Sequence, residues 1–393
     1  MKLLYISSYQ FKVVDNKVFA LPAYADFYWE KYLDVFESIT VLGEQVKKYL
    51  DNGTLAELKN KKINVELLPP NTLPKDYVND KKVISSLKSY IDKFDAILIK
   101  ITNRKGLQAI KICDNQNKPY IIELTGDLKL TLSQSPNILK RLYNPFFHAQ
   151  ILKAIKTCKF GLYVTKDYLQ KVYPVNGLMC GCTDTIIPDP DEDCLKSRIE
   201  RIKKYNPSTI YKIGMVASYH DNRKGLDTAI RALGRVEGNV ELHVLGLGTK
   251  EDREKWFDYA KKYSVESRLY FDDSLDSIDK VLKWNDSIDL AILPSRSEGL
   301  PRCIVESISR AVPCILSNVC GMPELVDPEW IHDPNDYIGL SNLINKMLSD
   351  KDVLIKCAQK NFKHSFEYKF SVLREKRNNF LVEYKSECER RKK

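Results

Sequence analysis

Short apolar runs alternate with amphipathic stretches along the chain. KLLYISS at the start reads as a buried strand, and residues 24–36, YADFYWEKYLDVF, carry aromatics at helical spacing. SITVLG, KINVELLP, FDAILIK and PYIIELTGD read as further strands, with RKGLQAIKICDNQ as a helix between the last two. Around Ile187 the pattern breaks into IPDPDEDCLKSRIERIKKYNPST, rich in proline and charge, and a linker is expected over 187–207. Alternation then resumes. TIYKIGMVAS, NVELHVLG, SRLYFDD, IDLAILPS and PCILSN read as strands, GLDTAIRALGRV and REKWFDYAKKYSV as helices, and the tail from about Asn335 as helical.

This βαβα order predicts an α/β chain with two parallel-sheet domains, 1–186 and 208–365. In open α/β sheets ligands lie beyond the carboxyl ends of the strands, so the loops after strands are where chemistry is sought. The 393-residue length suits two domains. No apolar run approaches the length that spans a bilayer. Ten cysteines without a C-x-x-C pair read as free thiols of a reducing cytosol, and no ligand cluster asks for a metal. Lys and Arg number 62 against 52 Asp and Glu, a net +10 that suits an anionic partner such as a nucleotide or membrane surface. No nucleic-acid recognition motif accompanies that charge.

The most informative stretch is PSRSEGLPRCIVESISRAVPCILS, residues 294–317. It follows a strand, and Pro301 fits the first turn of a helix, where its missing N–H costs nothing. Gly299 allows close backbone approach, and the helix start offers N–H groups to phosphate oxygens. Glu298 at the helix mouth suits sugar hydroxyls, and Glu306, further into the helix, suits the two hydroxyls of a ribose. Taken singly, Glu298 is equally a residue favouring the helix dipole and Glu306 a solvated helix residue.

P-S-x-x-E-G-x-P-x-x-x-x-E, followed by VPCILSNVCGMPELV, resembles the E-x7-E signature of retaining GT-B glycosyltransferases. The closest resemblance is to the family-4 group that includes many bacterial polysaccharide enzymes. Ala311, Pro313, Ser317, Gly321 and Glu324 match the usual continuation, with Cys320 in place of a glycine. Lys224 and Gly225 match the family's Lys-Gly, and Gly246 and Gly248 its Gly-x-Gly loop. The match covers about 210–330.

The resemblance implies two Rossmann-like domains facing across a cleft, with the C-terminal helix, about 366–393, returning to the first. It also implies a nucleotide-diphosphate sugar as co-substrate, with no metal or other cofactor. Glu306 would bind ribose, Lys224 the diphosphate, Glu298 the sugar, and the backbone of Gly299 and Leu300 phosphate or sugar. Many members carry an arginine before the Lys-Gly pair. Ala217 and Ser218 stand in that region here, and Arg223 either compensates or faces solvent. The amino-terminal domain has YQFKVVDNK where the family has a Gly-Gly loop.

Asp127, after PYIIELTG, is the candidate to reach the transferred sugar; the alternative is a cap on the next helix. Residues 128–166 hold seven Lys and Arg and no Asp or Glu. Lys140, Arg141, Phe146 and Phe147 there mark either a face for a lipid-linked acceptor and the anionic inner membrane, or a basic helix with core aromatics. The expected activity is a metal-independent, hexosyltransferase-type enzyme of capsule, O-antigen or exopolysaccharide synthesis. It would be cytoplasmic or peripheral on the inner membrane, with a glycan or lipid-linked acceptor. An isomerase or epimerase on the same fold, or a non-catalytic relative, is the alternative.

Overall fold

The computed structural model describes residues 1–45, 55–70, 78–135, 137–185 and 187–392. The chain forms two compact units. The first comprises residues 1–129, 142–182 and 374–393; the second comprises 130–141 and 183–373.

In the first unit, β1 (Leu3–Val14) and β2 (Lys17–Ala20) form a hairpin. Strands β3 (Ile39–Gln45), β4 (Ala56–Leu58), β5 (Ile63–Leu68), β6 (Ala96–Lys100), β7 (Ile121–Leu124), β8 (Phe160–Tyr163) and β9 (Leu178–Gly181) follow. Helices α1 (Asp26–Leu33), α2 (Asp80–Lys93), α3 (Arg104–Asn115), α4 (Leu128–Ser133), α5 (Ile138–Ile155) and α6 (Tyr168–Val172) lie between them, most of α4 and the first residues of α5 belonging to the second unit. The parallel strands run β5-β3-β1-β6-β7-β8-β9. Strand β1 outruns this sheet. Its far half, in the YQFKVVDNK stretch, turns at Asp15 and Asn16, both at positive φ as a two-residue hairpin turn requires, and β2 then pairs with β4. A hairpin therefore stands where a glycine loop was the family expectation.

The aromatic segment is helical only over Asp26–Leu33, because Pro22 starts a separate 3-10 turn and Ala25 is extended. Trp29 and Tyr32 are core, while Phe27 is exposed. The Tyr32 hydroxyl donates to Glu123 Oε1 at 2.6 Å, and Tyr5 donates to the other oxygen. Lys100, opposite Glu123 in the β6–β7 register, lies 3.8 Å from it. Buried carboxylate and ammonium thus share one hydrogen-bonded network at the carboxyl ends of the strands.

The second unit has strands β10 (Tyr211–Val216), β11 (Val240–Gly246), β12 (Leu269–Asp273), β13 (Leu290–Leu293), β14 (Cys314–Ser317) and β15 (Ile331–His332). Its helices are α7 (Glu192–Lys203), α8 (Leu226–Leu233), α9 (Lys250–Lys261), α10 (Ile278–Ser287), α11 (Arg302–Ser309), α12 (Tyr337–Leu348) and α13 (Lys351–Ser365). The sheet is parallel throughout, in the order β12-β11-β10-β13-β14-β15. Strand order reverses between β10 and β13, which defines a topological switch point at their carboxyl ends.

The stretch 187–207, expected as a linker, is instead largely α7. Cys194, Arg198 and Ile202 form its buried stripe, and Arg198 donates to the carbonyls of Asn285 (2.8 Å) and Ile288. The stripe is masked in the sequence because its middle position is a charged residue, satisfied only by carbonyls distant in the chain. Helix α14 (Phe370–Arg390) ends the chain, and from Arg374 onward it belongs to the first unit. There Tyr384 accepts from the Ile97 N–H (2.7 Å) and donates to carbonyls of the same unit. All ten cysteines are free thiols. Among the described residues no helix is long and apolar enough to cross a membrane.

Candidate functional site

The second unit's switch point gathers most of the residues singled out by sequence. Strand β10 ends at Val216, and the loop after it carries Ser218, Arg223, Lys224 and Gly225. Strand β13 ends at Leu293, and the loop after it carries Ser295, Arg296, Glu298 and Gly299. Lys224 Nζ meets Glu298 Oε1 at 2.5 Å. The Ser295 hydroxyl donates to the same carboxylate oxygen at 3.0 Å.

Gly225 makes this meeting possible. It caps α8 at φ +80°, and a Cβ there would lie 2.0 Å from the Pro294 carbonyl oxygen. Only glycine lets the β10 loop lie against the β13 loop so closely. Arg296 ties the same loops from the other side. Its guanidinium donates to both oxygens of Asp227 at 2.8 and 2.9 Å and to the Asn222 carbonyl, and its backbone N–H reaches the Arg223 carbonyl at 2.9 Å. Sequence reasoning missed Arg296, which stands at a variable position of the motif. Its signal was proximity to the motif alone, since its partners lie about 70 residues earlier and, at Asn335, 39 residues later.

Helix α11 begins at Arg302, with Pro301 as its cap rather than inside its first turn. The first-turn N–H groups of Arg302 and Cys303 lack intrahelical acceptors, as at any helix start. The Gly299 carbonyl accepts from Gly321 at 3.0 Å, which fixes the turn against the loop after β14, and the Leu300 side chain is buried. Cys320, at the family's glycine position, adopts φ +50°. Ala311, just past α11, adopts φ +54°, a left-handed conformation that costs an L-residue about 1 kcal/mol. Ala311→Gly is expected to raise the unfolding free energy by up to about 1 kcal/mol in urea titration.

The electrostatics set two carboxylates apart. Burial works against the Lys224 charge, but Glu298 outweighs it and holds the ammonium above its ordinary pKa. Glu306 is half-buried, and no donor or cation among the described residues reaches its carboxylate through a hydrogen bond or ion pair. Burial raises its pKa, opposed only by the Arg302 charge. Between the carboxylates, burial pushes the Cys303 thiol up to about 12, and Lys224, Glu298 and Glu306 are its charged neighbours. At the start of α11, Lys224 of the β10 loop is paired with Glu298, while the Glu306 carboxylate has no hydrogen-bond donor among the described residues.

The side chains of the remaining candidates do not join Lys224 and Glu298. Ser218 is half-buried at the end of β10, its hydroxyl accepting from the His220 N–H at 3.3 Å. The Arg223 side chain is exposed, and the residue serves the site through its backbone carbonyl. Glu324 ends a 3-10 turn in the loop after β14. In the first unit, Asp127 is buried and three donors occupy its oxygens. They are the Lys129 N–H (2.9 Å) and Tyr173 (2.8 Å) on Oδ1, and Tyr168 (2.9 Å) on Oδ2. This is the geometry of the helix-cap alternative, reinforced by two tyrosines. Arg141 and Phe146 are exposed on α5, while Phe147 lies in the core and is not part of that outer face. Lys140 lies on α5 with its side chain outside the described residues.

Residues 197–364 match the family model of the glycosyl transferases group 1. Protein CapJ of Staphylococcus aureus is 28% identical over 98% of this chain and 96% of its own length. The lipopolysaccharide 1,6-galactosyltransferase of Escherichia coli K12 is 25% identical over 52% of each chain. Among solved structures, Anabaena HepE in complex with UDP superposes with a TM-score of 0.65 at 15% identity, over 98% of this chain and 100% of that one. Two parallel-sheet units, and a second unit that matches the group 1 glycosyl transferases, give this chain the GT-B fold.

Proposed function

We propose that the chain is a retaining, hexosyl-transferring enzyme that needs no metal and moves a sugar from a nucleotide-diphosphate donor to a glycan or lipid-linked acceptor in bacterial surface polysaccharide synthesis. One observation carries this reading: among the described residues no donor reaches the half-buried Glu306 carboxylate, while Glu298, eight residues earlier, is engaged by Lys224 and Ser295. A buried carboxylate without donors is costly, and a ribose offers two hydroxyls to fill it. The UDP bound by HepE makes uridine diphosphate the first nucleotide to test, and the lipopolysaccharide enzyme among the relatives supports a surface glycan as acceptor.

In this reading the diphosphate lies against the first-turn N–H groups of α11 and takes Lys224 as its counter-ion. Glu298, relieved of part of its pairing, accepts from sugar hydroxyls. The bond from the anomeric carbon to the phosphate oxygen breaks, and the acceptor hydroxyl bonds to that carbon on the same face. Its proton passes to the departing phosphate oxygen, so the configuration is retained and no second nucleophile is needed.

Glu306→Ala is the test of the ribose role. Calorimetric titration with UDP should show affinity weakened by about 1.5–3 kcal/mol, the value of hydrogen bonds to a charged group. Unchanged affinity would remove Glu306 from the donor site.

A further inference from the structure

Strands β14 and β15 end side by side, and the loops that leave them frame another cleft of the second unit. Asn318 directly follows β14, His332 closes β15, and the Asn318 N–H donates to the His332 carbonyl at 2.7 Å. The cleft measures about 580 Å³, within the range of small-molecule sites. It lies at the carboxyl ends of the two strands, where open α/β sheets take ligands, and none of Lys224, Glu298 and Glu306 lines it. Its polar lining is Asn318, Asp333, Asp336 and Asn342, all exposed, and the buried His332. Pro323, Pro328 and Leu343 supply apolar surface.

His332 is the residue that a folding role leaves unexplained. It is 5% exposed, and its Nδ1 lies 2.8 Å from the Asp333 carbonyl oxygen. A carbonyl can only accept, so Nδ1 carries the proton and Nε2 the lone pair. That Nε2 is buried and has no hydrogen-bond partner among the described residues. Burial holds the ring below its ordinary pKa although Asp333 and Asp336 stand close by. A buried acceptor without a donor is costly, so the site is completed by a group that brings one. The two carboxylates ask for donors as well. Asp336 Oδ1 accepts from the Gly339 N–H at 2.8 Å, but neither Asp333 nor Asp336 forms an ion pair among the described residues, and no Lys or Arg lines the cleft. Nor do three His, Cys, Asp or Glu side chains among those residues converge to hold a metal ion.

We propose that this cleft binds an amino sugar, with its ammonium at Asp333 and Asp336, a hydroxyl donating to His332 Nε2, and a C–H face of the ring on Pro323, Pro328 and Leu343. The lining selects this chemistry. Unpaired carboxylates repel phosphates and carboxylates, which excludes a nucleotide. Acceptors spread over five side chains suit a ligand with several donors, and the prolines and leucine suit the apolar face that a sugar ring carries beside its hydroxyls. Binding here is independent of the donor reading above, which enters only in making a glycan the source of the sugar.

The test is saturation-transfer NMR on the full chain with three sugars of one ring shape: glucosamine below its amine pKa, neutral glucose and anionic glucuronate. Glucosamine is expected to bind and to lose affinity as salt is raised, glucose to bind more weakly, and glucuronate to give no signal. Asp333→Asn/Asp336→Asn should lower glucosamine affinity by about fivefold and remove its salt dependence, while asparagine keeps the α12 cap and with it the fold. His332→Asn, which retains a donor for the Asp333 carbonyl and removes Nε2, should weaken glucosamine and glucose alike by about fivefold. Any thermal shift that UDP gives the wild type should persist in both variants. Absence of a UDP shift in the wild type would defeat the donor reading and leave this one to the glucosamine result alone. No glucosamine signal from the wild type would overturn the proposal, as would glucuronate binding as tightly, or unchanged glucosamine affinity in Asp333→Asn/Asp336→Asn. So would full displacement of glucosamine by an equal concentration of ethylammonium, since the charge alone would then be recognised, or loss of the UDP shift in the variants, since the cleft would then belong to the donor site.

Discussion

Replacing Lys224 by alanine is expected to lower turnover by about 10²–10³-fold, the usual cost of removing one group that stabilises developing charge. It should also destabilise the second unit. Glu298 is nine-tenths buried at its side chain and would keep only the Ser295 hydroxyl as its donor. An uncompensated buried carboxylate of this kind costs about 3–5 kcal/mol. The two effects separate in a double-variant cycle. Lys224→Ala/Glu298→Gln removes the stranded charge, so most of the stability should return while turnover stays low. Recovery of turnover together with stability would show that Lys224 serves the fold and not the leaving diphosphate.

Gly225→Ala is expected to be the most damaging single methyl in the second unit. The added carbon would stand 2.0 Å from the Pro294 carbonyl oxygen, in a residue held at φ +80°. Backbone, not a flexible side chain, blocks it, so the β10 and β13 loops must part. A loss above about 3 kcal/mol in denaturant titration is expected, together with loss of donor binding. Gly238 is the internal control. It too sits at φ +80°, but nothing lies within 4 Å of an added Cβ. Gly238→Ala should therefore cost only the conformational penalty of about 1 kcal/mol and leave donor binding intact. Similar losses in the two variants would mean that the close loop approach carries no special weight.

Much of this site was legible because its chemistry is local in sequence. Glu298, Gly299 and Glu306 lie within nine residues, and helix periodicity with one proline places them on a helix start after a strand. The pairing of Lys224 with Glu298 was not legible, because it depends on β10 and β13 becoming neighbours through a crossover. What the sequence did hold was Gly225, whose necessity becomes clear only beside Pro294. The same limit explains α7: the Arg198 position reads as solvent-facing until the carbonyls of Asn285 and Ile288 are in place. It explains Asp127 too, since Tyr168 and Tyr173, 41 and 46 residues on, complete the cap. On α5, apolar residues on both faces blur the helical contrast, and Phe146 and Phe147 look alike in sequence although one is exposed and the other buried. Lys100 and Glu123, each the one charge in an apolar strand, were legible as anomalies and not as a pair.

The central claim is that the second unit binds a nucleotide-diphosphate sugar through Lys224, Glu298 and Glu306. The most direct measurement is a thermal-shift panel of UDP-, GDP-, dTDP-, ADP- and CMP-sugars, without added metal, on the wild type and on Glu306→Ala. Stabilisation of the wild type by one diphosphate-nucleotide family, abolished or much reduced in the variant, is the predicted result. No shift with any donor, or an equal shift in both proteins, would contradict the account.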